Sequence, residues 1–164
     1  ARVSVDRHAR SGGDGVGESE MSGYFEIGVY CPKTAENIGT LWRSAFQLGA
    51  AGIFTIGHRY KRQVSDTLNV SMNIPLRQYH NIDEFLECRP HGAQLIGVEM
   101  GGKALGSFNH PRCAVYLLGS EDNGLPPAVL VLCQHVVSIE ALRTVSYNVA
   151  VAGSIVMYHR FLKP

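Results

Sequence analysis

The sequence lacks a strong charge of either sign. Fifteen Lys and Arg stand against fourteen Asp and Glu, a formal net charge of +1. The strongly basic balance that usually marks a nucleic-acid-binding domain is missing, so affinity for a polyanion must come from local patches or a groove shared by two chains. Paired cysteines are also lacking. Cys31, Cys88, Cys113 and Cys133 lie 57, 25 and 20 residues apart, with no C-x-x-C and no zinc-finger spacing. Cys113 and Cys133 sit in apolar runs, where buried free thiols are common. A reducing cytoplasm and no structural metal are expected. The seven histidines form no H-x-H or H-x-x-x-H pattern, so no metal site is expected. No apolar run approaches the ~20 residues of a membrane span, and no signal-peptide pattern opens the chain.

Of the 164 residues, 45% are hydrophobic and 18% charged, the balance of one ordinary globular domain. Residues 1–23 read as a disordered tail or an appended remnant, with Met21 a candidate start of the folded protein. They hold almost no large apolar side chain to offset the entropy of ordering. Gly13-Asp14-Gly15-Val16-Gly17 resembles a nucleotide loop only superficially, because no strand precedes it and no helix follows. The domain is expected over 24–164.

From Phe25 onward, strand and helix patterns alternate. Strands are expected over 25–31, 52–57, 93–99, 114–119 and 135–139, and helices over 37–49, 82–88, 126–133 and 146–161. Such alternation implies an α/β fold, a mostly parallel sheet with helices on both faces. The last helix has almost no polar face. Val149, Ala150, Val151, Ala152, Ile155, Val156 and Met157 surround it, so one side packs on the sheet and the other needs a second cover. A homodimer is expected there, on the rule that large apolar patches mark interfaces.

Three segments carry candidate chemistry: Asn37-Ile38-Gly39-Thr40-Leu41-Trp42-Arg43-Ser44-Ala45, Leu118-Gly119-Ser120-Glu121-Asp122-Asn123-Gly124-Leu125-Pro126 and Ser146-Tyr147-Asn148-Val149-Ala150-Val151-Ala152. Taken singly, each has a bland reading. Asn37 and Ser146 are plausible helix N-caps, Arg43 a solvated helix arginine, and the middle segment a strand–turn–helix joint. The glycines Gly119 and Gly124 allow close backbone approach to a ligand, outside the carboxyl end of a strand where open sheets bind one. Asn148 in an apolar helix needs partners for its amide. His58-Arg59-Tyr60-Lys61-Arg62 is the densest basic run and suits phosphate contact, with Tyr60 able to stack on a base.

Together and in this order, the segments resemble the SpoU-type (TrmH-like) RNA ribose 2′-O-methyltransferases, over roughly residues 24–161. The resemblance implies a C-terminal trefoil knot, which no periodicity reveals and whose base rate is very low. It implies S-adenosyl-L-methionine as cofactor, held by Val98 and Glu99, by the loop from Gly119 to Gly124, and by Ile139 to Tyr147 with Ser146. It implies catalytic roles for Arg43, Asn37, Glu121, Ser146 and Asn148. RNA contacts are expected from Arg43, His58, Arg59, Lys61 and Arg62, and the active site is expected to form between subunits. The absence of an added domain resembles the compact tRNA enzymes of the group, so tRNA, with the wobble ribose a candidate, is the expected substrate. Alternatives are ribosomal RNA and a catalytically silent RNA-binding module on the same fold. An ordinary nucleotide-binding α/β protein is disfavoured because no G-x-G-x-x-G follows the first strand. Two positions depart from the family pattern: Glu140 stands where a proline is usual, and Tyr147 where a leucine is usual. The first puts loop rigidity in question, the second the pocket wall.

Overall fold

The structure, a computed structural model, describes residues 23–57, 73–143 and 146–163. The expected tail up to residue 22 and the basic run 58–62 lie outside them. The elements run β1 (Tyr24–Tyr30), α1 (Ala35–Gln47), β2 (Gly52–Ile56), β3 (Leu76–Tyr79), α2 (Ile82–Cys88), β4 (Gln94–Ala104), a 3₁₀ turn (Leu105–Ser107), β5 (Cys113–Leu118), α3 (Pro127–Leu130), β6 (His135–Ser138) and α4 (Val149–Leu162). The six strands form one sheet in the order β3-β2-β1-β5-β4-β6, and every adjacent pair is parallel.

Alternation along the central strands builds two cores. Phe25, Ile27 and Val29 of β1 and Ala114, Tyr116 and Leu118 of β5 face α1 and α4. Val115 and Leu117 of β5, with Phe54 and Ile56 of β2, face Phe85 of α2 and Val129 of α3. Helices therefore cover both faces, as parallel strands require. Gly153 lets α4 seat closely. A Cβ there would stand 2.4 Å from Leu41 Cδ1 of α1 and 3.1 Å from Leu118 Cδ1.

Several boundaries move from the expected ones, each for a local reason. α1 starts two residues before Asn37, with Thr34 at the N-cap position, so Asn37 lies in the first turn and is free to bond sideways. α4 starts at Val149, not Ser146. Asn148 is its N-cap and accepts from the amides of Ala150 at 2.9 Å and Val151 at 3.3 Å. The N-cap reading of Ser146 thus passes to Asn148, whose amide closes the first turn. α3 holds only four residues. The edge strand β3 carried no clear signal, because Arg77 and Gln78 face solvent between Leu76 and Tyr79. β4 runs on to Ala104 after residues 99–102 bulge out, so that Val98 and Lys103 both pair with Val137.

A polar chain is buried under the end of α4. Arg160, 3% exposed, donates to the carbonyls of Pro111 and Arg112, donates to the Tyr116 hydroxyl at 3.2 Å and lies over the Phe25 ring. His110 Nδ1 lies 2.5 Å from Tyr116 Oη, and His110 Nε2 lies 2.7 Å from His159 Nδ1. Because Arg160 donates to the hydroxyl, the hydroxyl proton goes to His110 Nδ1 and His110 donates from Nε2. Burial, then the charges of His159, Arg160 and Lys163, lower the His110 pKa from 6.5 to about 4. The unfolded chain protonates this histidine first, so stability falls as pH drops from 6.5 towards about 4 and is insensitive to this group above 6.5. Thermal melts across that range should show the decline in wild type and a flatter curve in His110→Gln.

Candidate active site

Three loops at the carboxyl ends of β4, β5 and β6, closed by the start of α4, surround a cavity of about 680 Å³. This lies within the ~300–1,000 Å³ of small-molecule sites and in the position where parallel sheets bind ligands. The bulge within β4 supplies Glu99 and Met100 beside Val98, Leu118 ends β5 and residues 119–124 follow it, and Ser138 ends β6, followed by Ile139, Glu140, Ala141 and Arg143. Residues 146–149 and Ala152 close the wall. All of Val98, Glu99, Gly119, Gly124, Ile139, Ser146 and Tyr147 lie on this wall, together with Glu121 and Asn148.

The β5 loop is compact because it folds on itself. Ser120 and Gly124 exchange backbone hydrogen bonds of 3.3 and 3.1 Å. Gly124 takes φ +62, and a Cβ there would stand 2.3 Å from Glu99 Oε2. The Glu99 carboxylate accepts from the amides of Leu125 at 2.7 Å and Met100 at 2.9 Å. Glu99 is thus a brace between the β4 and β5 loops as well as part of the wall.

Glu121 connects the first two motifs. It accepts from the amides of Lys33 (3.1 Å) and Thr34 (3.3 Å) and from Asn37 Nδ2 (2.9 Å). Lys33 also pairs with Asp122. Asn37 Oδ1 in turn accepts from Asn148 Nδ2 at 3.0 Å. Since Asn148 Oδ1 already serves two backbone amides, both amide orientations in this chain are fixed. Burial alone would raise the Glu121 pKa, but the donors from Asn37, its own amide, Lys33 and Thr34 outweigh it and hold the carboxyl below its ordinary 4.5. Such a carboxylate is a firm acceptor and a weak base.

The remaining expected site residues stand apart. Ser146 is exposed on the cavity wall and makes no hydrogen bond among the described residues, which leaves its hydroxyl available. Arg43 is exposed, has no polar partner among the described residues and is not on the wall. It lies three residues from Thr40, on one face of α1. Thr40 borders an almost wholly apolar groove of about 320 Å³ with Ala150, Val151, Ser154, Ile155 and Tyr158. His58, Arg59, Lys61 and Arg62 lie outside the described residues. Among the described residues, no group of three or more His, Cys, Asp or Glu could hold a metal ion, and no helix is long and apolar enough to cross a membrane.

Sequence reasoning missed Met100, Leu118, Ser138, Val149 and Ala152 on the wall, and the amides of Lys33 and Thr34 as anchors. A backbone donor leaves no trace in residue type, and the bulge that exposes Met100 depends on β4–β6 pairing. Asn148→Ala should lower stability by ~1 kcal/mol, the usual cost of losing an N-cap. Asn148→Asp keeps the cap acceptor but sets a carboxylate against Asn37 Oδ1. It should melt closer to wild type and still bind cofactor poorly. Melts paired with cofactor titration separate cap from bridge, and full binding by Asn148→Asp would show the bridge to be idle.

The chain matches the family model described as SpoU rRNA Methylase family over residues 25–158. It is 30% identical over 129 residues to an uncharacterized tRNA/rRNA methyltransferase of Synechocystis sp., covering 74% of this chain and 47% of the relative, so it spans about half the relative's length. A solved structure reported as giving insights into the 2-OH methylation of C/U34 on tRNA superposes with TM-score 0.75 and 25% identity, over 87% of this chain and 97% of that one. The AdoMet-bound rRNA methyltransferase from Sinorhizobium meliloti superposes with TM-score 0.72 and 25% identity, over 84% of this chain and 56% of that one.

Proposed function

The chain belongs to the SpoU rRNA methylase family, and from that premise we propose that it methylates a ribose 2′-hydroxyl in RNA, with S-adenosyl-L-methionine in the 680 Å³ cavity. The observation that carries the reading is the hydrogen-bonded chain Glu121–Asn37–Asn148, which ties the first motif to the two motifs that line the cavity. The cavity suits the cofactor. Val98, Leu118, Ile139 and Ala152 would offer apolar wall to the adenine, while Gly119 and Gly124 serve to close the β5 loop on itself and on Glu99. When bound, the cofactor would supply an electrophilic methyl group, carried on a sulfonium sulfur, for the ribose oxygen.

In this reading Asn37 and Glu121 hold the first helix against the β5 loop, and Ser146 offers a hydroxyl to cofactor or ribose. Arg43 grips the phosphate of the target nucleotide with its planar fork and stabilises the developing alkoxide while water takes the proton. Arg43 is off its own chain's cavity, so a second subunit brings it to the site. Exposed Val151, Tyr158, Phe161 and Leu162 on α4 support that dimer. The implied knot belongs to the same proposal: the segment after β6 must recross the ends of β4 and β5 for Asn148 to reach Asn37.

The RNA is proposed to be tRNA at the wobble ribose, because the match to the C/U34-related structure spans 97% of that chain. Calorimetry with the cofactor, then tritium transfer to purified tRNA and ribosomal RNA with 2′-O-methyl mapping, tests each layer. No cofactor binding would remove the enzymatic reading, label in ribosomal RNA alone would correct the substrate, and a methyl on a base would overturn the ribose assignment.

A further inference from the structure

Ile139, Glu140, Ala141, Arg143, Ser146 and Tyr147 form one side of the cavity, and none of them belongs to a helix or strand. A wall of irregular backbone has to be restrained, or cofactor binding must bear the cost of ordering it. Glu140 is where the restraint concentrates. Its side chain accepts from the Gly106 amide at 3.0 Å, in the 3₁₀ turn after β4. Gly106 sits close enough that a Cβ would stand 2.8 Å from Glu140 Oε1. The Gly106 carbonyl accepts from Lys163 Nζ at 2.6 Å, so the turn is tied to the end of α4. The Tyr147 hydroxyl donates to the Glu140 carbonyl at 3.1 Å, so the residue just before the α4 N-cap is tied back to the residue after Ile139. One residue is thus held through both its side chain and its main chain.

We infer that Glu140 and Tyr147 form a clasp that pre-orders this wall of the cavity, making Glu140 a positioning residue for the cofactor. The inference rests on the cavity being the cofactor site. The clasp explains how the loop keeps its shape with a glutamate at this position. Proline would restrain the same backbone by fixing φ; here two hydrogen bonds do so. Glu140 itself is exposed, and its ionised carboxylate gains from its own amide and that of Gly106, which hold its pKa below the ordinary 4.5.

The test uses the whole protein, with S-adenosylmethionine and S-adenosylhomocysteine binding by calorimetry, methyl transfer to RNA, and thermal melts. Glu140→Ala should weaken cofactor binding by ~5- to 10-fold, the scale of one charge-assisted hydrogen bond at an exposed site. The rate at saturating cofactor should change less than about 3-fold, since a pre-ordering effect falls on affinity. Glu140→Gln keeps an acceptor for Gly106 and should bind within about 2-fold of wild type. Glu140→Pro should recover most of the loss by restraining the backbone directly. Tyr147→Phe should weaken binding similarly, and the double variant should lose less than the product of the single losses, because both bonds order one loop. Wild-type affinity in Glu140→Ala, or a loss that appears only in the saturated rate, would overturn the clasp. If Glu140→Ala fails to fold, Tyr147→Phe and Glu140→Gln still decide it, since equal weakening in the glutamine variant would place the effect in charge and overturn the bond to Gly106. Failure of the wild type to bind cofactor would instead strike the functional reading.

Discussion

Arg43→Ala should keep the fold and the cofactor affinity and lose methyl transfer by ~100-fold or more, the scale of removing one positioned donor at a developing oxyanion. The residue is exposed, and no described residue bonds to it, so its removal leaves nothing buried without a partner. The neighbouring Leu41, Trp42 and Ala45 carry the packing of α1. Arg43→Lys should restore little, because an ammonium cannot reproduce the two-pronged grip on phosphate oxygens. Single-turnover transfer at saturating RNA and cofactor is the measurement. Near-wild-type rates in Arg43→Ala would return the residue to the status of an ordinary solvated helix arginine. The Glu121 carboxylate gives no ready substitute, since its donors hold it ionised as a structural acceptor.

The second large effect concerns association. If the proposed shared site holds, Val151→Glu should leave the protomer folded yet yield a monomer with methyl transfer reduced by a similar ~100-fold, because Arg43 would then be parted from the cavity assigned to it. Val151 is 47% exposed on α4, so a glutamate there is solvated in the isolated chain and becomes an unpaired buried charge only when a second chain covers it. Ile155 is a poorer probe, since it packs partly against the core. The flanking Tyr158 and Phe161 stack on each other with centroids 6.2 Å apart, extending the exposed apolar stripe along the helix. Sedimentation of wild type and Val151→Glu at micromolar concentration, with cofactor binding and melting as controls, checks this. A monomeric, active wild type would refute the shared site. A dimeric Val151→Glu would move the interface elsewhere.

The fold class was legible because its signals are local. Buried strands of a parallel sheet read as short apolar runs, such as Ala114 to Leu118, and α1 repeats its apolar residues at helical spacing through Ile38, Leu41, Trp42 and Ala45. The α2 bounds also followed from local chemistry, with Asn81 accepting from the Glu84 amide at the entry. The three motifs marked their residues by type and order. Residue patterns alone therefore establish an alternating α/β chain, a last helix with almost no polar face, and the membership of the motif residues in one family.

How those residues act on one another depends on contacts between distant parts of the chain. Asn37 and Asn148 are 111 positions apart, and Asn37 and Glu121 are 84 apart. Their bonds exist because β1 lies beside β5 and α1 packs on α4, pairings that residue patterns leave open. The same holds for Glu99 bracing the β5 loop, for Glu140 tied to Gly106, and for Arg43 lying off its own cavity. Helical spacing and residue type report which face a side chain takes, whereas long-range contacts depend on strand order and on where irregular segments cross the sheet. Asn148 rather than Ser146 is the N-cap: its side chain bonds both the first turn and Asn37, and the helix starts at Val149, three residues after the expected start.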